Sequence, residues 1–264
     1  MRTAALGSVV ILLGAALSFA LPGRAQGETA PATYAGSPDE KVWTATYPLK
    51  PGGRVQVANV QGSITVEGWD RAEVAITAVQ RPATTEGGEP AVGVERGPDW
   101  ISLRTLYPAD GTEPVQLDYY LRVPRQVQLD ELLTVNGRVR VRDIEGRVVA
   151  RTLNGDIEQE RIAGSVVARA LNGSIRLALR ALPGRGAELS LETVNGDLLV
   201  LVPPRADADL ELSTVAGRVE NQFVLPASDS GESVRRVRLG RGGPTVKLRT
   251  VRGNIRIGQN EDVF

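Results

Sequence analysis

Histidine and cysteine are both absent from this 264-residue chain, and methionine occurs only once, at position 1. Their absence excludes Ser-His-Asp and Cys-His nucleophilic catalysis, zinc sites built on imidazole or thiolate, and the usual general base near neutral pH. It also excludes a disulfide framework and a lipid-anchored cysteine, so an exported chain must draw its stability from packing and hydrogen bonds. Lysine is nearly missing: only Lys41, Lys50 and Lys247 accompany the arginines. A Ser-Lys dyad would need one of these three, and nothing in their surroundings marks any of them. Aromatic residues make up 4% of the chain and are unevenly spread, with Trp43, Tyr47, Trp69, Trp100, Tyr107, Tyr119 and Tyr120 all before Asp130 and only Phe223 in 131–258. The net charge is zero, with 9 basic and 14 acidic side chains in 26–130 and 20 and 15 in 131–258. The chain is thus a mild dipole without the strongly basic balance of a nucleic-acid binder, which argues against a nucleic-acid partner.

Only one long apolar run exists, from Ala4 to Leu21, after Arg2 and before Pro22-Gly23-Arg24-Ala25. This pattern predicts a secretory signal peptide over 1–25, cut before Gln26. The alternative is an uncleaved anchor, for which the run is close to the lower spanning length of about 17 residues. With the leader removed, no transmembrane segment is expected, and the location would be the periplasm or the cell surface.

From Arg138 the chain divides into nine-residue units that end in glycine: RVRVRDIEG, RVVARTLNG, DIEQERIAG and SVVARALNG. The second and fourth agree at seven of nine positions, so the full period is eighteen residues, two strands per repeat. Aliphatic residues recur at the second place (Val139, Val148, Ile157, Val166, Ile175) and the seventh (Ile144, Leu153, Ile162, Leu171), with Arg and Glu between them. This is the alternation of half-buried strands. Asn136-Gly137, Asn154-Gly155, Asn172-Gly173 and Asn195-Gly196 are the expected structural turns, because Asn tolerates and Gly prefers left-handed geometry. Degenerate versions at Gln61-Gly62, Ala216-Gly217 and Arg252-Gly253 suggest a repeat that decays toward both ends. An antiparallel meander and a solenoid with stacked coils both fit the period. If coils stack, the Asn residues form one column, and Thr134, Thr152, Thr193, Thr214 and Thr250 form a second.

These residues, together with V-x-V-x-N-x-x-G-S-I-T-V from Val55 to Val66 and Tyr120-Leu121-Arg122-Val123-Pro124, carry a family likeness. Over residues 43–258 the chain resembles the bacterial "putative adhesin" family of exported β-strand repeat proteins, a domain of unknown function. The resemblance implies a β-solenoid body and a cell-envelope location, and it brings no catalytic or ligand residues. The expected fold is all-β: a β-solenoid or single-stranded β-helix-like repeat body with a wider N-terminal β portion. The expected organisation is leader 1–25, linker 26–42, one elongated domain 43–258 (N-terminal portion 43–130, repeats 131–258) and tail 259–264, where Phe264 lacks the alternation of a membrane-barrel strand.

Carboxylates offer the remaining route to catalysis, since a glycosidase needs two of them about 5–9.5 Å apart. Asp156, Glu158 and Glu160 could share a strand face, as could Asp207, Asp209 and Glu211; the plainer reading is a polar outer face paired with arginines. Asp156 and Asp197 follow Asn-Gly turns but lack the extra glycines of a calcium-binding nonapeptide. The reading is therefore no enzyme and no cofactor or metal. The candidate binding surface is Arg235, Arg236, Arg238, Arg241, Lys247, Arg249, Arg252 and Arg256, with Glu232 as the opposing charge. It suits an anionic envelope polymer or lipid headgroups; the alternative use of such charges is to blunt an exposed edge strand. The expected function is a non-catalytic envelope scaffold or adhesin-like module, with self-association into a structural assembly as the second reading and a polysaccharide-degrading enzyme as the third.

Overall fold

The computed structural model describes residues 35–37, 40–81, 91–107, 115–184, 186–222 and 234–260. The leader, Phe223, Glu232 and Phe264 fall outside them. Every regular element there is a β-strand. The aromatic-rich region supplies β1 (Ala35–Ser37), β2 (Glu40–Pro48), β3 (Arg54–Ala58), β4 (Ile64–Trp69), β5 (Glu73–Arg81), β6 (Ala91–Arg96), β7 (Trp100–Leu106) and β8 (Gln116–Pro124). The repeats supply β9 (Gln128–Asn136), β10 (Val139–Arg142), β11 (Val148–Asn154), β12 (Ile157–Ile162), β13 (Val166–Asn172), β14 (Ile175–Leu179), β15 (Leu189–Asn195) and β16 (Leu198–Val202). After them come β17 (Ala208–Ala216), β18 (Val219–Asn221), β19 (Val234–Leu239), β20 (Thr245–Arg252) and β21 (Ile255–Gln259).

The strands form two large mixed sheets. Sheet one runs β1-β2-β5-β8-β4-β10-β12-β14-β16-β21-β18, and sheet two runs β19-β17-β20-β15-β13-β11-β9-β3-β7-β6. The repeat strands pair in parallel, with Val139 opposite Ile157 and Ile157 opposite Ile175. Consecutive strands such as β9 and β10 lie in different sheets, so each Asn-Gly carries the chain across from sheet two to sheet one. The antiparallel meander is thereby ruled out for the repeats.

The backbone requires glycine at these crossings. Gly155 has φ +147°, and a Cβ there would lie 2.1 Å from the Gly137 carbonyl oxygen of the unit below. Gly173 meets the Gly155 oxygen at 1.9 Å in the same way. Successive crossings are thus stacked backbone on backbone, and no larger residue fits between them.

Inward-facing rows fill the space between the sheets. In sheet one Ile64, Val139, Ile157, Ile175, Leu198 and Ile255 align; in sheet two Val55, Leu129, Val148, Val166, Leu189 and Val246 do so. All are at most 1% exposed. Each contributes about 1.5–3 kcal/mol relative to an exposed side chain.

Two expectations change. The units do not stack in chain order. β3/β4 lies between β7/β8 and β9/β10, so Gln61 bridges to Asn136, and β20/β21 lies between β15/β16 and β17/β18. The degenerate turns are therefore members of the same stack near its two ends: those of β3/β4 and β20/β21 are inserted out of sequence, and that of β17/β18 is the last of the parallel units. At the outside, antiparallel β5 and β2 cover β8, β6 covers β7 and β19 covers β17. Second, the aliphatic residues at the seventh place divide. Ile144 and Ile162 are buried, whereas Leu153 and Leu171 are half-buried. They follow inward Thr152 and Ala170, so strand alternation turns them to the outer face. Asn260, read as part of a tail, is buried and donates its amide to Leu179 O at 3.1 Å.

Candidate binding surface

The outer face of sheet two is built from rows that run perpendicular to the strands. One row is aliphatic: Val135, Leu153, Leu171, Val194 and Val251 are half-buried, and Val215 is 68% exposed. Each sits between an in-register Thr or Ala position and the residue that precedes the crossing glycine. Across six parallel strands at about 4.8 Å each, the stripe is roughly 24 Å long. Beside it runs a polar row of Arg151, Arg169, Glu192 and Arg249, in register across β11, β13, β15 and β20. Arg151 pairs with Glu131 at 2.8 Å and Arg169 with Glu192 at 3.1 Å.

On the stripe's other side stands an amide ladder. Asn154 Nδ2 donates to Asn136 Oδ1 at 2.8 Å, Asn172 to Asn154 at 2.9 Å, and Asn195 to Asn172 at 2.8 Å. The threonines do not bond to one another. Their hydroxyls donate to glycine carbonyls of a neighbouring unit, Thr134 to Gly62 at 2.8 Å and Thr250 to Gly196 at 3.0 Å among them. A third ladder follows the glycines: Ser174 N donates to Asp156 Oδ1 at 2.9 Å, Asp197 N to Ser174 Oγ at 3.2 Å, and Asn254 N to Asp197 Oδ1 at 2.7 Å. Asp156 and Asp197 thus each spend an oxygen on the backbone of the next unit.

The carboxylate triplets are paired. Asp156 meets Arg138 at 3.4 Å, Glu158 meets Arg140 at 2.9 Å, and Glu160 meets Arg142 at 3.1 Å. Asp207 meets Arg241 at 3.3 Å, Asp209 meets Arg238 at 3.0 Å, and Glu211 meets Arg236 at 3.5 Å. The Arg241 backbone N–H, bonded to Asp207 at 2.8 Å, holds that carboxyl below its ordinary range. Acid-base work needs a carboxyl raised toward neutrality, and the shift at Asp207 runs the other way. A depression of about 470 Å³ lies between the 180–183, 203–207 and 242–244 loops; Asp207 is its one carboxylate, and no aromatic ring lines it.

The eight basic residues do not form one patch. Arg256 lies on sheet one, paired with Glu220 at 3.0 Å. Arg236, Arg238 and Arg241 hold the pairs just given, which correct the expectation of a single opposing charge: β17 and the residue before it, Asp207, supply the partners. Arg235, Lys247, Arg249 and Arg252 are exposed and make no ion pair among the described residues. Lys247 and Arg249 stand on the outer face of sheet two, and Arg252 takes the place of Asn in the amide column opposite Asn195.

At the opposite edge of the sheets, Asp143 and Arg161 occupy left-handed corners with φ of 57° and 53°. Arg161 Nε donates to Asp143 Oδ1 at 2.8 Å, Arg125 approaches the same carboxylate at 3.4 Å, and Arg125 also holds Asp70 at 2.8 Å. The Arg161 hydrogen bond keeps the Asp143 carboxyl below the usual carboxylate range. Two more polar features were not foreseen. Asn59, 3% exposed, ties β3 to β8 through Leu117 O at 2.7 Å and receives the Thr105 hydroxyl at 2.9 Å. Gln80 and Gln159 are buried with neither amide atom hydrogen-bonded.

No family model matches the sequence, and no curated protein matches it. Solved structures similar to this chain carry adhesin names. One is a "putative cell adhesion protein" from Clostridium sporogenes, 11% identical, with a TM-score of 0.46, covering 83% of this chain and 100% of its own. Another is a "putative adhesin" from Bacteroides fragilis, 12% identical, TM-score 0.31, covering 83% and 98%. A "putative lipid binding protein" from Parabacteroides distasonis is 11% identical, TM-score 0.31, covering 82% and 96%. Likeness at this level leaves the ligand to be argued from the residues.

The outer stripe was missed in the sequence because a count from each glycine treats every aliphatic as inward. Parity would have found it: Thr152 and Leu153 are adjacent, so only one of them can face in.

Proposed function

We propose that the protein is a non-catalytic binding module of the bacterial envelope, exported by its leader, whose single elongated domain is a two-sheet β-solenoid that presents a repetitive contact surface. The observation that carries this reading is the outer face of sheet two, where an aliphatic stripe repeated once per strand lies between an arginine-bearing row and an asparagine ladder that spans β9 to β15. An aliphatic stripe that continues along one axis suits an extended partner, since contacts spread over many units. The free cations Lys247, Arg249 and Arg252 at one end give the stripe a positive terminus, which fits an anionic polymer or lipid headgroups. Paired carboxylates and a packed interior support binding over catalysis.

Co-sedimentation with anionic vesicles and with purified cell-wall polymer, at low and high salt, tests the reading. Binding at low salt should weaken as salt rises, because exposed charges are screened within about 10 Å at 0.1 M. Lys247→Glu with Arg249→Glu should reduce it further, and Leu153→Ser with Leu171→Ser should reduce what survives in salt, with unchanged melting confirming the fold. Absence of low-salt binding to every anionic probe would end the proposal.

A further inference from the structure

β20 and β21 are the last strands of the chain but not of the stack. They occupy a slot between β15/β16 and β17/β18. Val246, Leu248, Thr250 and Ile255 lie opposite Leu189, Leu191, Thr193 and Leu198 on one wall, and opposite Leu210, Leu212, Thr214 and Val219 on the other. The polar contacts follow the same division. Thr250 donates to Gly196 O at 3.0 Å and Asn254 N to Asp197 Oδ1 at 2.7 Å on one side. On the other, Thr214 donates to Gly253 O at 2.9 Å, Arg218 N to Asn254 Oδ1 at 3.0 Å, and Arg256 pairs with Glu220 at 3.0 Å. Every one of these contacts joins segment 245–259 to the slot, and none depends on both belonging to one molecule.

The covalent link is short. Residues 240–244 cross the end of β17 in five residues, with Gly240 at φ +56° and Gly242 at φ +75°, and a Cβ on Gly240 would fall 2.0 Å from Asp207 Oδ1. The ion pairs that fasten the crossing, Arg241 with Asp207 and Arg238 with Asp209, are exposed, and such pairs are worth about 0–1 kcal/mol. A short, tightly turned hinge beside an intact set of transferable contacts favours exchange between copies.

We infer that the slot between β15/β16 and β17/β18 is an interaction site for a second copy of this chain, with residues 245–259 of each molecule inserting into the other. Closed and exchanged forms share every slot contact and differ at the hinge, so protein concentration sets their ratio. The closed form holds its segment at an effective concentration of about millimolar, which places the exchange at refolding from high protein concentration. The segment carries Lys247, Arg249 and Arg252 of the outer face with it, but the closed monomer presents them on its own stripe, so loss of exchange leaves polymer binding by the monomer intact.

The absence of cysteine makes the test clean. Leu199 and Arg256 are in-register neighbours on β16 and β21, at a strand spacing that a disulfide spans. Chains carrying Leu199→Cys are mixed in denaturant with chains carrying Arg256→Cys, refolded at high concentration and oxidised. A mixture of Leu199→Cys with Arg140→Cys, which lies on β10 outside the segment, reports random collision. Exchange predicts covalent heterodimer severalfold above that control, and its loss when Leu199→Cys and Arg256→Cys share one chain and lock the closed form beforehand. Heterodimer no higher than the control overturns the proposal. So does light scattering on the unmodified chain that gives a monomer after refolding at every concentration.

Discussion

Gln159 lies in the middle of an aliphatic row, opposite Val141 on β10 and Leu177 on β14. It is 0% exposed, and neither its Oε1 nor its Nε2 has a hydrogen-bond partner. A buried amide that loses water and gains nothing costs about 1–3 kcal/mol. Gln159→Met keeps the length of the side chain and removes both polar atoms; Gln159→Leu matches the neighbouring rows more closely. Either change should recover the desolvation cost and add the transfer of an apolar side chain, a gain of about 2–4 kcal/mol for the better-fitting variant. For a chain of this size 1 kcal/mol moves the melting temperature by about 2–4 °C, so a rise of roughly 4–16 °C is expected. Circular dichroism melts give the shift, and urea titration should show a higher midpoint at unchanged slope. A variant pair that both melt at or below the parent temperature would refute the reasoning, because it would mean that the amide is satisfied in solution, for example by an internal water. If only the leucine variant loses stability while methionine gains it, shape and not polarity governs that position.

Gly173→Ala should cost about 3 kcal/mol or more, since its Cβ would meet the Gly155 carbonyl oxygen at 1.9 Å; Gly52→Ala, with open space but φ +83°, should cost only the backbone strain of about 1–2 kcal/mol. Comparison of the two melts separates contact from conformation, and equal losses would contradict the stacked-backbone picture. Asn172→Ala removes one amide bond to Asn154 and one from Asn195; the bonds are exposed, so a loss of about 0.5–1.5 kcal/mol is expected in urea unfolding. For Asp143 the sign is fixed by its lowered pKa: the Arg161 hydrogen bond favours the charged form, so its contribution is present above the unfolded value near 3.9 and is lost as pH falls through the lower folded value. Asp143→Asn should therefore melt below the parent at pH 6 and converge with it as pH falls from the unfolded value through the lower folded one, and a difference that stays constant as pH falls would exclude ion pairing as the source.

The glycine crossings and inward aliphatic rows were legible in the sequence because each rests on a local rule: alternation within a strand and a backbone that admits no Cβ. Leu153 shows how such a rule was misapplied. Counting in nines placed it with Ile144 and Ile162, but only parity relative to Thr152 decides the face. Stack order was not legible, because the pairing of Ile64 with Val139 or of Leu198 with Ile255 is long-range, and several units carry the same inward pattern. The charges were misjudged for a related reason. Arg236, Arg238 and Arg241 seemed isolated along the chain, yet antiparallel pairing of β19 with β17 sets them beside Glu211, Asp209 and Asp207. Gln159 and Asn59 are polar residues whose burial no periodicity announces.

Near-identical units pose a problem of their own. RVVARTLNG and SVVARALNG agree at seven of nine places, so a slip by one unit would leave most side chains in equivalent surroundings. The amide ladder does not resist this, since Asn meets Asn after the slip as before it. Neither do the glycine crossings, which are alike in every unit. What does resist it is the order of the ends. β3/β4 is fixed between β7/β8 and β9/β10, and β20/β21 between β15/β16 and β17/β18, so shifting the middle units would require both insertions to be withdrawn. The antiparallel strands β5, β6 and β19 then cover the parallel neighbours β8, β7 and β17, which would otherwise offer free edges. The same arrangement that pins the register leaves the C-terminal insertion as the element whose contacts another copy can supply. A mutation that lengthens the 240–244 crossing without touching the slot, such as a glycine-serine extension of that loop, should therefore favour the closed monomer by giving the segment more freedom to reach its own slot, while leaving the stripe of Leu153 and Leu171 in place.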